Sequence, residues 1–332
     1  MFLRRGPAEE SFMDDSLFGL KQRPFRNNLD TKAYYPASGH EQSLAQLLGA
    51  IKKEDGIALL TGEVGVGKTL LCHCLVERLG DTETCLLTNS HFADRTALLQ
   101  AVLYDLSLSF NGLTEQGLRL ALSDHLLARF SSGQPVVLIV DEAHHLSADV
   151  LEELRLLTNM EGPEGKALQV VLCGHVAILE KLQKPELACL AQRLATRARL
   201  EPLCLHEAAD YLVHHLRLAG PNAINLFTDE ALDLIARSAR GIPRRLNQAA
   251  SQALDLARET DMPCVDAEVA LEALALVGLE VEDSPGSSDG PGTEGSQQDV
   301  PGPGLVRGED SEFDEMPDGP STRPFRPTRR PA

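Results

Sequence analysis

Short apolar, β-rich runs recur through the first two thirds of the chain, at residues 57–61, 84–88, 136–140, 169–173 and, with a weaker pattern, 197–200. The run Val136-Val137-Leu138-Ile139-Val140 contains no polar residue, as a strand covered on both faces requires. Stretches with helical periodicity separate these runs. The alternation predicts a parallel sheet with helices on both faces. Ahead of the first run, Ser38 and Glu41 stand at capping-box spacing, and Leu44, Leu47, Leu48 and Ile51 follow at i, i+3, i+4 and i+7. That pattern predicts an amphipathic helix leading into the sheet.

Beyond residue 205 the strand pattern stops. Ala209, Leu212, Val213 and Leu216 form one apolar stripe ending at Gly220. Leu232, Ile235, Ala236 and Ala239 form another, opened by Thr228-Asp229-Glu230 and closed by Gly241. Further helices are predicted over 243–259 and 266–277. The reading is an N-terminal extension over 1–29, an α/β domain over 30–205, a small all-helical domain over 206–280, and a tail over 281–332. The tail holds eight Gly and nine Pro in its 52 residues, with too few apolar side chains to offset the entropy of ordering, so disorder is expected there. RPFR occurs at 23–26 and again at 323–326; a repeated tetrapeptide arises by chance in a chain this long and is read that way.

Charge narrows the function classes. The formal charge of the 332 residues is −18, and the tail, with eleven Asp/Glu against five Arg, carries −6 of it. The remaining −12 argues against general coating of nucleic acid, which needs clustered Lys and Arg. Seven cysteines without a C-x-x-C pair indicate neither a disulfide framework nor a zinc site, and a reducing cytoplasm fits them best. The start MFLRRGPAEESF has no apolar stretch behind its arginines, and no window approaches a membrane span, so a soluble protein without an export signal is expected.

The chemistry concentrates in two places. Gly62-Glu63-Val64-Gly65-Val66-Gly67-Lys68-Thr69 fits G-x-x-x-x-G-K-[ST], preceded by a strand pattern and followed by a helical run that opens with Leu70. Glycines let successive N–H groups turn inward on phosphate oxygens, and the helix N-terminus adds its dipole. Lys68 is expected to reach the β- and γ-phosphates of a bound nucleotide and Thr69 to ligate Mg²⁺, with residues 62–70 forming the cradle. The strand at 136–140 ends in Asp141-Glu142, which delivers two carboxylates to the edge of the sheet where the phosphates lie. Asp141 is expected to hold Mg²⁺ through water, and Glu142 to polarise the attacking water.

Other constellations are read as packing. Cys72 and Cys74, two apart on a helix, lie roughly 200° apart and cannot share a metal. The same reasoning sends adjacent His144 and His145, and His214 and His215, in different directions. The word D-E-A-H at 141–144 suggests a helicase, yet the segment after 205 is too short for a second domain of that kind.

The order of these motifs resembles the AAA+ ATPases of the general secretion pathway protein A (ExeA) type, within a wider group that includes origin-recognition-like and transposition-helper ATPases. The similarity runs over about 18–257. It is carried by FGLKQRPF, YYPASGHEQSLAQL, LLTGEVGVGKTLL, DEAHHLSADVLEELRLLTN, ALQVVLCGH, LAQRLATRARLEPL and GIPRRLNQA. The resemblance implies a P-loop NTPase fold with a helical lid. It implies Arg244 as the lid arginine that senses phosphate, and Arg193, or second Arg197, as a finger reaching the γ-phosphate of a neighbouring subunit in a homo-oligomer. His175 stands where the family's sensor strand usually has glutamine, and His215 where the lid usually has arginine. Full-length secretion relatives continue into a membrane span and a peptidoglycan-binding domain, whereas this sequence continues into its acidic tail. The expected activity is Mg²⁺-dependent ATP hydrolysis serving an envelope or secretion assembly, in the cytoplasm or peripheral to the inner membrane through partners. The alternative is an ATP-dependent DNA-binding switch, with Arg237, Arg240, Arg244 and Arg245 as the basic patch and the net charge against it.

Overall fold

The computed structural model describes residues 20–162 and 165–280. The readings at Phe18, over the tail and at its RPFR copy lie outside the described residues.

The predicted runs become strands β1 (Ile57–Gly62), β2 (Thr84–Leu87), β3 (Val136–Val140), β6 (Leu168–His175) and β7 (Leu194–Leu200), and a short antiparallel pair, β4 (Glu161–Gly162) and β5 (Gly165–Lys166), precedes β6. Two-residue strands have too little length to show a periodicity. The five longer strands form one sheet in the order β2-β3-β6-β1-β7, with every pairing parallel. Strand β7 begins three residues before the predicted 197, because it alternates: Leu194, Ala198 and Leu200 are buried while Ala195, Arg197 and Arg199 face outward. Charged side chains on an edge strand discourage further pairing.

Helices α1 (Ser38–Lys52), α2 (Lys68–Leu79), α3 (Arg95–Asp105), α4 (Glu115–Ser131), α5 (Ala148–Leu157), α6 (Ala177–Leu182) and α7 (Ala188–Gln192) cover the sheet. The period-2 geometry of the strands sorts their side chains into two cores. Ile57, Leu59, Leu138, Val140, Val170 and Leu172 pack with residues of α3, α4 and α5 on one face. Ala58, Leu60, Val137, Ile139, Val171 and Cys173 pack with residues of α1 and α2 on the other. The wholly apolar β3, and a β1 buried throughout with Thr61 as its one polar side chain, are therefore explained by double coverage.

The capping-box expectation for α1 is corrected. The helix starts at Ser38 behind Ala37, which has no side-chain cap. Ser38 instead donates its hydroxyl and backbone N–H to Glu207, at 2.7 and 2.8 Å, and Glu41 accepts both guanidinium nitrogens of Arg78 at 2.7 and 2.8 Å. Tertiary partners outcompeted the local cap. Elsewhere side-chain caps form: Thr228, as read, and also Asp94, Thr114 and Ser147 each accept an N–H from the first turn of their helix.

Helices α8 (Leu205–Ala219), α9 (Asp229–Ser238), α10 (Pro243–Glu259) and α11 (Ala267–Leu276) form a third core rich in alanine and leucine. The stripe of α8 is centred one position earlier than expected, on Ala208, Leu212, Leu216 and Ala219. Phe25 from the N-terminal segment enters this core, 3% exposed, at a positive φ of 58°. Its ring meets Phe227 edge-on at 5.8 Å. Backbone bonds stitch the helical segment to the rest: Lys21 N–H to the Ala219 carbonyl at 2.9 Å, Leu203 N–H to the Gly241 carbonyl at 2.8 Å, and Arg244 N–H to the Gly65 carbonyl at 3.2 Å. No helix among the described residues is long and apolar enough to cross a membrane.

Candidate functional site

The glycine loop lies between β1 and α2, at the C-terminal edge of the parallel sheet. Gly65 and Gly67 have φ of 86° and 101°, values open to glycine at little cost. Gly67 precedes α2 in the left-handed region and offers no side-chain cap, so the first N–H groups of α2 are left for a ligand. A Cβ at Gly62 would stand 2.7 Å from the Leu200 carbonyl, which keeps that position minimal as the loop leaves β1. Val66 turns inward, fully buried, and its carbonyl bonds His40 Nε2 at 2.9 Å. Burial lowers the His40 pKa, so the neutral ring serves as an N–H donor that braces the loop. This brace was not read from the sequence; a histidine in the helix before the loop, with no spacing rule to tie them, carried no signal.

Lys68 is 7% exposed, and its ammonium donates to the carbonyls of Gly62 at 3.1 Å and Glu63 at 2.7 Å. Thr69 donates its hydroxyl to Asp141 at 2.6 Å. Asp141, 2% exposed, also accepts the Glu142 N–H at 2.8 Å. A hydroxyl and a carboxylate held together beside an inward-curled glycine loop are hard oxygen donors of the kind Mg²⁺ takes. The residues present thus fit that ion and a phosphate chain.

These groups open on a cavity of about 840 Å³, within the size range of ligand pockets. Of the loop, Val64, Gly65, Gly67, Lys68, Thr69 and Leu70 line it, whereas Gly62, Glu63 and Val66 shape it from behind. Glu142 lines the cavity from the turn after β3, and Arg244 and Asn247 from α10. The opposite wall comes from Arg26 to Asp30, Tyr34, Tyr35, Tyr211 and His215. The sequence reading missed most of this wall: Arg26 to Asp30 belong to a segment without periodicity, and only packing gathers them with Tyr211 and His215 of α8. His215 contacts Tyr211, with ring centres 4.4 Å apart, and burial together with His214 pulls its pKa down to about 4.

Arg193 and Arg197 do not line this cavity. Both are exposed; Arg193 bonds the Asn159 side chain and Arg197 donates to the Ala191 carbonyl at 3.2 Å. Within the basic patch suggested for DNA, Arg237 pairs with Asp233 at 2.8 Å and Arg244 faces the cavity.

The histidines after Glu142 depart from the sequence reading. Glu142 has a left-handed φ of 51°, and the next three residues, 143–145, form a single 3₁₀ turn rather than an α-helix. His144 and His145 therefore do not diverge: their ring centres are 4.0 Å apart. His175, at the end of β6, donates its N–H to His144 Nδ1 at 3.3 Å. Desolvation and the neighbouring His145 lower the His144 pKa. Cys72 and Cys74 are buried as expected, and Cys72 lies with Cys173 and Asp141, their ligand atoms within 4.8 Å.

A parallel sheet that ends in a glycine loop, with two acids on a neighbouring strand and a helical segment bonded to that loop, defines a P-loop NTPase of the AAA class. Residues 51–182 match the family described as AAA domain. The chain is similar to general secretion pathway protein A of Aeromonas hydrophila, 37% identical over 275 residues that cover 81% of this chain and 50% of that protein. The chain thus spans half the length of this curated relative.

Solved structures agree on the fold. Cdc6p from Pyrobaculum aerophilum superposes with a TM-score of 0.61 at 19% identity, over 75% of this chain and 71% of that one. The ORC2 protein of Aeropyrum pernix, determined as ADPNP and ADP complexes, gives 0.59 at 16% identity, over 77% and 72%. Drosophila ORC bound to DNA gives 0.58 at 18% identity, over 84% and 70%.

Proposed function

We propose that the chain binds ATP with Mg²⁺ and hydrolyses it, as the motor or assembly factor of an oligomer that serves an envelope or secretion machine. The observation that carries this reading is the meeting of the uncapped α2 N-terminus, Lys68, the Thr69 and Asp141 pair, and Glu142 on one cavity. On this reading the loop N–H groups and Lys68 hold the phosphate chain, with Lys68 giving up its two carbonyl partners to do so. Thr69 and Asp141 hold Mg²⁺, which neutralises phosphate charge when bound. Glu142 accepts the proton of the attacking water in line with the γ-phosphate. Arg244 reports phosphate state to the helical segment, whose bond to Gly65 gives that report a mechanical path. Residues 30–205 act as the ATPase domain and 206–280 as the lid. The protein works in the cytoplasm and reaches the inner membrane through partners. The similarity to general secretion pathway protein A supports the class of client.

The test is phosphate release by the purified chain with ATP, with and without Mg²⁺. Release that needs Mg²⁺ and disappears with nucleotide binding in Lys68→Ala is expected; release that persists in Lys68→Ala overturns the reading. The DNA alternative is tested in parallel by ATP-dependent, salt-sensitive binding to duplex DNA, and the pairing of Arg237 with Asp233, together with the net charge, argues for a negative result.

A further inference from the structure

Glu142, His144 and His145 lie on one tight turn, and one oxygen or nitrogen from each falls within 4.8 Å of the others. We propose that these three side chains form a site for a transition-metal dication of the zinc or cobalt class, and that its occupation withdraws Glu142 from ATP hydrolysis. The second half of this proposal rests on the role given to Glu142 above; the first half does not.

The spacing suits such an ion. Four bonds of about 2.0 to 2.1 Å in a tetrahedron put ligand atoms roughly 3.4 Å apart. His144 Nδ1 is already 3.3 Å from Glu142 Oε2. The third ligand, His145, is brought in by the 3₁₀ turn, which stacks its ring 4.0 Å from that of His144. Modest rotations of exposed or half-buried side chains close the remaining distance, since Glu142 and His144 are 44% and 21% exposed at the side chain.

A second observation points to a cation. His144 Nδ1 faces two neighbours with opposite demands: the His175 N–H at 3.3 Å needs a lone pair there, and the Glu142 carboxylate at 3.3 Å needs a proton. One nitrogen cannot meet both at once. A dication between imidazole and carboxylate relieves their repulsion by taking a lone pair from each, and the His175 N–H gives up its 3.3 Å bond to Nδ1 when it does so. His91, whose ring lies 4.3 Å from that of His145, places a further imidazole at the rim, and the fourth position is open to it or to water.

Donor chemistry separates this ion from Mg²⁺. Two imidazoles and one carboxylate suit zinc, cobalt or nickel, whereas Mg²⁺ prefers oxygen ligands and matches Thr69 and Asp141. The buried group of Cys72, Asp141 and Cys173 is a competitor of different character, because a thiolate-bound ion has a distinct spectrum.

Untagged full-length protein titrated with Co²⁺ in the absence of nucleotide tests the site directly. A visible band saturating at one equivalent, without a thiolate charge-transfer band, is expected, and His144→Ala and His145→Ala should each weaken binding by at least about tenfold. No saturable band, a thiolate band, or unchanged affinity in both variants overturns the site. Zn²⁺ added to the Mg²⁺–ATP turnover assay should inhibit, reversibly on chelation, and each histidine variant, measured against its own metal-free rate, should need about tenfold more Zn²⁺. Stoichiometric Co²⁺ binding in a protein that turns over ATP but resists Zn²⁺ overturns the coupling to Glu142. Co²⁺ binding as expected in a protein with no turnover sinks the hydrolysis reading and leaves the metal site standing.

Discussion

Glu142 pairs backbone strain with exposure. A non-glycine residue in the left-handed region costs on the order of 1 kcal/mol, and here the Ser90 hydroxyl on the Glu142 carbonyl at 2.6 Å and the Asp141 carboxylate on its N–H hold it there. That turn lifts the carboxylate off the strand axis into the cavity. Glu142→Gln preserves this backbone and removes only the proton acceptor. It should bind ATP normally and lose about 10² to 10⁴ in turnover, and unimpaired phosphate release would refute the assigned base. His215 gives a prediction of a different kind. Its folded pKa of about 4 lies below the ordinary 6.5, so between those values the unfolded chain binds a proton that the folded chain does not. Its contribution to stability is therefore complete above about pH 6.5 and lost as pH falls through 4. Melting temperature should decline over that window and His215→Gln should flatten the decline; equal slopes in the two proteins would show that the ring is not buried neutral. His40 shifts in the same direction and adds to the wild-type slope.

At the level of elements, the junction between the glycine loop and the start of α10 is where the proposed nucleotide site and lid would meet, through the Arg244 N–H on the Gly65 carbonyl at 3.2 Å. A Cβ at Gly65 would meet Arg244 Cβ at 2.9 Å and Ile242 Cγ2 at 3.1 Å, at a φ of 86° that side chains avoid. Gly65→Ala is therefore expected to displace α10, to cost about 1 to 3 kcal/mol in thermal unfolding, and to weaken binding of a fluorescent ATP analogue by more than tenfold. Wild-type affinity and melting in that variant would mean the junction adapts freely. The longer elements were legible from their patterns: the apolar β3 run and the stripe Leu232, Ile235, Ala236 and Ala239 are buried as read. The capping box at Ser38 and Glu41 failed for a reason that no local pattern contains. Glu207 and Arg78, far along the chain, offered charged partners that outweigh a local cap.

Across the whole molecule, the arginines assigned to catalysis by resemblance stand outside the cavity of their own chain, so any part they take requires a second copy. Mixing Arg193→Ala with Glu142→Gln subunits should restore ATP turnover, because a wild-type finger then meets a wild-type base across one interface. Loss of a finger costs about 10³ to 10⁵ in rate, which leaves ample range to see recovery. Failure of that mixture, with success for Arg197→Ala, would move the assignment to Arg197; failure of both would remove fingers from this segment. The −12 carried outside residues 281–332 sets a further limit, since it disfavours a partner held by phosphate contacts alone.

The sequence by itself determined what depends on neighbours along the chain. A glycine loop followed by Lys-Thr is recognisable because its function lies in backbone freedom and a helix terminus, both local properties. Strand and helix periods are recognisable because they record which face is buried. Tertiary structure decided what meets across the sheet. The Thr69 bond to Asp141 spans 72 residues and follows from the parallel register of β1, β6 and β3. The wall of Tyr34, Tyr211 and His215, the His40 brace, and the convergence of His144 with His145 depend likewise on packing. For the histidines, helical geometry was the wrong premise: hydrogen bonds to Glu142 set a tight turn in its place, and the turn brings the rings together.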